Sequence, residues 1–180
     1  SKSPRRQQLL TDLGLPFEVR TIEVDENFPE HLIAHEIPMF LAEVKSNAYR
    51  HSLGSNELLI TADTVVWING QVLNKPGDRT EALEMLSKLN GKAHEVYTAV
   101  GLTTTERHHC FYDRTDVTFS KLQDDELEYY VDHYKPYDKA GSYGIQDWIG
   151  LMGIESIRGS YFNVMGLPVH RLYHELKAFT

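Results

Sequence analysis

The run LLITADTVVWI, from Leu58 to Ile68, followed by Asn69-Gly70, limits the fold more than any other stretch of the chain. Apolar and β-branched residues dominate it, so the segment from Glu57 to Ile68 reads as a mostly buried strand. Asn-Gly favours the positive φ angles of a two-residue hairpin turn, and Gln71 to Leu73 then return as a second strand. Asp63 sits in the middle of the run. A carboxylate in a buried strand needs a partner or a metal to offset its desolvation. Beside Asp25 or Glu26 it could hold Mg²⁺ or Mn²⁺ through oxygen ligands. It could equally be a structural aspartate bonded to a neighbouring loop, and the strand alone leaves the two readings level.

The remaining elements follow from periodicity and capping. Ser3 before Pro4 reads as an N-cap with a first-turn proline, Leu9, Leu10 and Leu13 form a helical stripe, and Gly14 stops it. Residues 17–24 look like a strand, with Asp25 and Glu26 in the polar loop behind it. Pro38 starts a second helix carrying Leu41, Val44 and Ala48 on one face. Asp78 and Glu81 resemble a capping box, and Ala82, Met85, Leu86 and Leu89 line the helix that follows. Strands are expected at about 94–103 and 107–119, a helix at 124–134, and two short strands between 154 and 164. A last helix from Pro168 should bury Val169, Leu172, Tyr173 and Leu176. Helices interleave with strands and hairpins, so the fold class is α/β, with a mixed central sheet and flanking helices. No repeat, low-complexity stretch or composition shift divides the 180 residues, and one domain is expected.

Charge and cysteine content narrow the function. The net charge of −8 disfavours a nucleic-acid binder, because that binding depends on clustered Lys and Arg displacing counterions. A small polyanion remains possible if the basic residues converge on one pocket. Cys110 is the lone cysteine, which fits a reducing compartment and no internal disulfide. No apolar run approaches the ~20 residues that span a bilayer.

Several positions could carry chemistry. Ser1, Ser3, Arg5 and Arg6 crowd the start of the first helix, where free backbone N–H groups and the dipole attract anions. Arginine there opposes the dipole unless an anion is bound, and its fork matches phosphate oxygens. Taken alone, a plain cap with solvated arginines is the commoner arrangement. Lys75 in NKP and Lys139 in DKAG sit in short loops from which a lysine could reach phosphate. Lys45, on the second helix, is ordinary by itself. Gln146 could donate and accept together, as reading a base edge requires. His108 and His109 face opposite sides of a strand and would not chelate together. No Ser-His-Asp order, nucleophile elbow or P-loop occurs.

In order along the chain, SKSPRRQQLL, VDE, VKSNA, TADTVV, NKPGD, GKAHEVYTAV, DKAGSYGIQ and SYFNVMGLP resemble the successive motifs of the Maf family of nucleotide pyrophosphatases. The resemblance spans essentially the whole chain. It implies a cytoplasmic, homodimeric enzyme that hydrolyses nucleoside triphosphates to the monophosphate and pyrophosphate with a divalent metal, Mg or Mn. It also implies two lobes around a deep cleft, an architecture like that of inosine triphosphatases. Arg6, Thr64 and Gln146 match the branch that takes dTTP, UTP and modified pyrimidine nucleotides. Another branch takes 7-methyl-GTP. The resemblance further implies Asp63 as proton acceptor, Glu26 with Asp63 at the metal, and Ser1, Ser3, Arg5, Arg6, Lys45, Thr64, Lys75, Lys139 and Gln146 around the substrate. A first strand is expected upstream of Ser1. Thr61 and Asn74 stand where glycine is usual, which would narrow the approach of a ligand. A nucleotide-binding regulator without turnover is the alternative.

Overall fold

The computed structural model describes residues 1–179. Its centre is a five-stranded sheet, built from β1 (Leu59–Ile68), β2 (Gln71–Leu73), β3 (Ala93–Thr103), β4 (His108–Phe119) and β5 (Ile154–Arg158). The strands lie in the order β2-β1-β3-β4-β5. The expected combination of a central sheet with flanking helices holds, and every pairing among the described strands is antiparallel. Asn69 and Gly70 both take positive φ in the turn joining β1 to β2, as their hairpin requires.

Strand alternation divides the layers. Val65 and Tyr97 face α2 (Glu36–Arg50), which buries Ile37 and Leu41 against them. Ala62, Val100, Leu102 and Phe111 face the opposite way, onto Leu9 of α1 (Pro4–Asp12) and Leu172 of α7 (Val169–Phe179). Further along that second face, Val66, Val96 and Val117 meet α3 (Arg79–Leu89), α4 (Asp124–Tyr134) and α5 (Trp148–Gly153). The parity of β1 therefore sends Asp63 toward α2 and Thr64 toward the other layer.

Residues 17–24 do not form the expected strand. They pair with no other strand among the described residues, and Phe17, Val19 and Ile22 are exposed. Strand propensity is realised only against a neighbour, and this stretch has none. The strand expected ahead of Ser1 lies outside the described residues. Instead of two strands between 154 and 164, β5 ends at Arg158 and α6 (Tyr161–Met165) follows. Ser160 caps α6 by accepting from the Asn163 backbone N–H at 3.3 Å, and Gly166 closes it at φ 113°.

Smaller differences concern faces and caps. α2 begins at Glu36, since Pro38 is tolerated within a first turn that needs no N–H there. Ser46 is buried where Ala48 is exposed. In α7, Leu172 and Phe179 are buried, while Tyr173 stays exposed under the Lys177 ammonium, 4.4 Å from its ring centre. Asp78 accepts from Glu81 N–H at 2.9 Å, but the Glu81 carboxylate takes the Gly77 N–H at 2.7 Å, so only half of the box forms. No helix among the described residues is long and apolar enough to cross a membrane.

Candidate active site

A cleft of about 600 Å³ opens beside β1. Ser1, Ser3, Arg5 and Arg6 reach it from the start of α1, Lys45 from α2, and Asp63 and Thr64 from β1. Glu26 enters from the long loop before α2, Lys75 from the loop after β2, and Lys139 and Gln146 from the loop after α4. Every residue that the family resemblance places around the substrate or the metal therefore lines one cavity, and Asp25, the alternative to Glu26, is not among the lining residues.

Its acidic centre lies on the α2 side of β1. The Lys45 ammonium stands 2.6 Å from Asp63 Oδ1 and 2.9 Å from Glu26 Oε1. Asp63 is 9% exposed. Burial raises its carboxyl above the ordinary value, against the opposing charges of Lys45 and Arg6. For Glu26 burial pushes the same way, but the Lys45 hydrogen bond and charge, with Lys75 and Arg6, outweigh it and hold the carboxyl low. Two carboxylates that converge on one ammonium could share one hard cation. No group of three or more His, Cys, Asp or Glu side chains is arranged for a metal among the described residues. The other ligands of such an ion would have to be waters and phosphate oxygens, which is how Mg²⁺ commonly binds.

The cationic groups differ in what they already hold. Arg6 donates from Nε to Gly166 O at 2.7 Å, from Nη1 to Ala62 O at 3.0 Å, and from Nη2 to Thr64 Oγ1 at 3.0 Å. Nη1 also meets Ser1 Oγ at 3.4 Å. Of its five N–H groups, one on Nη2 is left without a protein acceptor among the described residues. Burial lowers the Arg6 guanidinium from its ordinary value, with Asp63 opposing. Arg5 pairs with Asp138 at 2.8 Å, and Lys139 with the same carboxylate at 2.9 Å. Asp138 consequently falls to about 2, although burial alone would raise it. Lys75 is exposed and makes no ion pair or hydrogen bond among the described residues.

A sequence model of the family described as Maf-like protein matches residues 1–179. The chain belongs to the Maf family. A dTTP/UTP pyrophosphatase of Bacteroides fragilis is 57% identical over 178 residues, covering 98% of this chain and 92% of that protein. Proteins of the same name from Parabacteroides distasonis and Flavobacterium psychrophilum are each 50% identical; the alignments cover 99% and 96% of this chain and 93% and 89% of theirs.

Within this Maf-like chain, Thr61 does not spend its hydroxyl on the cleft. Thr61 Oγ1 donates to Ala42 O at 2.9 Å and lies 2.7 Å from Ser46 Oγ, in the seam between α2 and the sheet. Gly101, across the strand, makes the room: a Cβ there would come within 2.7 Å of Thr61 Oγ1. His108 bonds Thr103 and His109 bonds Glu175, each away from the other. Sequence reasoning missed Asp138 and Asp147, which flank Lys139. Asp147 accepts from Tyr130 OH at 2.8 Å and lies 3.9 Å from Lys139 Nζ. The one available signal was their placement within the DKAGSYGIQD stretch.

Proposed function

We propose that this Maf-like chain hydrolyses nucleoside triphosphates, dTTP and UTP among them, to the nucleoside monophosphate and pyrophosphate. The observation that carries the reading is the meeting of cations from four separate segments with Glu26 and Asp63 in one nucleotide-sized cleft. The activity named for relatives at 50–57% identity supports it. A triphosphate is a polyanion, so neutralisation and positioning dominate the chemistry.

In this reading Ser1, Ser3, Arg5, Lys75, Lys139 and the α1 N-terminus hold the phosphates. Arg6 and Thr64 form the wall beside them, and Gln146 reads the base. A water oxygen attacks the α-phosphorus, the bond from that phosphorus to the α–β bridging oxygen breaks, and pyrophosphate leaves with the electron pair. The proton of the water passes to Asp63, whose raised pKa makes it a better acceptor than an exposed aspartate. Lys45 keeps the acceptor carboxylate oriented. Glu26 and Asp63 would hold Mg or Mn, which when bound neutralises phosphate charge and lowers the pKa of a bound water.

The test is release of pyrophosphate from dTTP, UTP, CTP and 7-methyl-GTP with Mg²⁺ and with Mn²⁺. Turnover of dTTP and UTP is expected, with base preference relaxed in Gln146→Ala. Binding without turnover would instead favour a regulator, and preference for 7-methyl-GTP would move the chain to the other branch. A cytoplasmic homodimer belongs to the same proposal. The lone cysteine supports the reducing compartment. Exposed Leu151, Tyr161 and Phe162 offer apolar surface to a second copy, and sedimentation at micromolar concentration tests it.

A further inference from the structure

The SYFNVMG stretch, Ser160–Gly166, is singled out in the sequence but has no task in the chemistry above. Its hydrogen bonds lead directly to Arg6. Thr98 is fully buried on β3 and donates from Oγ1 to Asn163 O at 2.9 Å. A hydroxyl has one proton, so its 2.8 Å contact with Thr64 Oγ1 must be accepted by Thr98. Thr64 in turn accepts from Arg6 Nη2 at 3.0 Å. The direction of the whole chain is thereby fixed, from an obligate donor, the guanidinium, through two hydroxyls to an obligate acceptor, the Asn163 carbonyl. Such aligned bonds reinforce one another, most strongly at the fully buried end formed by Thr98 and Asn163.

The far end of the chain is itself clamped. Asn163 is fully buried, and its amide Nδ2 donates to Val96 O at 3.2 Å and Thr115 Oγ1 at 3.0 Å. Thr115 passes its own proton to Ser160 O at 2.9 Å. At the other end of α6, Gly166 O takes the Arg6 Nε–H at 2.7 Å, from a backbone at φ 113° that favours glycine. The α6 helix and its Gly166 cap thus grip the guanidinium at Nε directly and at Nη2 through two threonines.

We propose that α6 is a positioning device for Arg6, with Thr98 and Asn163 as positioning residues that aim the remaining Nη2 hydrogen into the cleft. This rests on the triphosphate reading of that cleft. Its consequence is that activity follows the Thr98 hydroxyl rather than the volume of the side chain.

Thr98→Val keeps the shape and removes the hydroxyl. Thr98→Ser keeps the hydroxyl and removes a methyl group. KM for dTTP and UTP is expected to rise about tenfold in Thr98→Val, with kcat much less affected, and to stay within about twofold of wild type in Thr98→Ser. Unfolding temperatures, measured alongside, should fall in both variants, in Thr98→Val because the Thr64 hydroxyl and the Asn163 carbonyl lose their partner and in Thr98→Ser because a small void is left, so the split between KM and kcat, not stability, carries the test. Wild-type KM in Thr98→Val, or equal impairment in both variants, overturns the proposal. A second readout does not depend on turnover: the ¹⁵N–¹H signal of Arg6 Nε should exchange slowly with water in wild type and Thr98→Ser, and faster in Thr98→Val. If wild type hydrolyses no triphosphate, the activity reading fails while this signal still decides whether the clamp exists. Equal exchange in all three proteins removes it.

Discussion

The two faces of β1 solve one problem in opposite ways. Each must hold an ionisable group at the edge of a buried sheet. Toward α2, Asp63 is balanced by charge: Lys45 sits between it and Glu26, whose side chain is 50% exposed. Toward α6, Arg6 is held by neutral groups: two backbone carbonyls and a directed pair of threonine hydroxyls. An ion pair with one partner at the surface can reorganise when a phosphate or a cation arrives, because water and ligand replace the lost contact. The hydroxyl chain, fully buried at Thr98 and Asn163, cannot, because a break there leaves an unsatisfied polar group. The cleft therefore has an adaptable acidic wall facing a rigid cationic one.

The largest effect should come from breaking the adaptable wall at its centre. Asp63→Asn is expected to lower turnover at least ~10²-fold with an unchanged circular dichroism spectrum. In wild type, activity should rise with pH as Asp63 ionises, and this acid limb should vanish in the variant. Stability shows the opposite sign. A folded-state pKa raised above the unfolded value gives stability that is complete below pH 3.8 and is lost as pH climbs through the raised value.

His94 tests the dry side. It lies beneath the cleft wall, 2.7 Å from Tyr143 OH, and burial lowers its pKa from 6.5 to about 4. The unfolded chain takes up a proton between those values and the folded chain does not. Stability should therefore fall as pH drops from 6.5 toward 4, by up to roughly 3 kcal/mol. His94→Gln should remove this contribution, as urea denaturation across that range would reveal. A wild-type curve flat over the window would mean that this side is wetter than its packing implies.

Lys75→Gln sharpens the contrast further. Because Lys75 makes no ion pair or hydrogen bond among the described residues and acts on Glu26 only through its charge, its loss should leave the unfolding midpoint unchanged within about 0.5 kcal/mol while raising KM for triphosphates roughly tenfold. The smallest effect belongs to Arg79→Ala. It removes the exposed pair with Asp132, far from either wall, and should move neither KM nor the denaturation midpoint detectably.

Much of this was readable in the chain. The hairpin at Asn69-Gly70, the helix at 124–134 and the long strands β3 and β4 follow local patterns that need no tertiary help. Residues 17–24 failed because alternation signals a strand only where a partner exists. In the second half of the 154–164 stretch Tyr161, Phe162 and Val164 suggest β structure, while the Ser160 cap outweighs them locally. In the site, residue types were legible from the ordered motifs. Their pairings were not: nothing in DKAG says that Asp138 holds both Arg5 and Lys139.

The sequence by itself determined which groups are present and roughly which element carries each, because capping, turn chemistry and hydrophobic period act over a few residues. Only the tertiary structure decided which face of β1 each group occupies, that Lys45 bridges two carboxylates 37 positions apart in the chain, and that α6 reaches back to Arg6. Those outcomes depend on strand register and on contacts between residues as distant as Arg6 and Gly166, which no local pattern encodes.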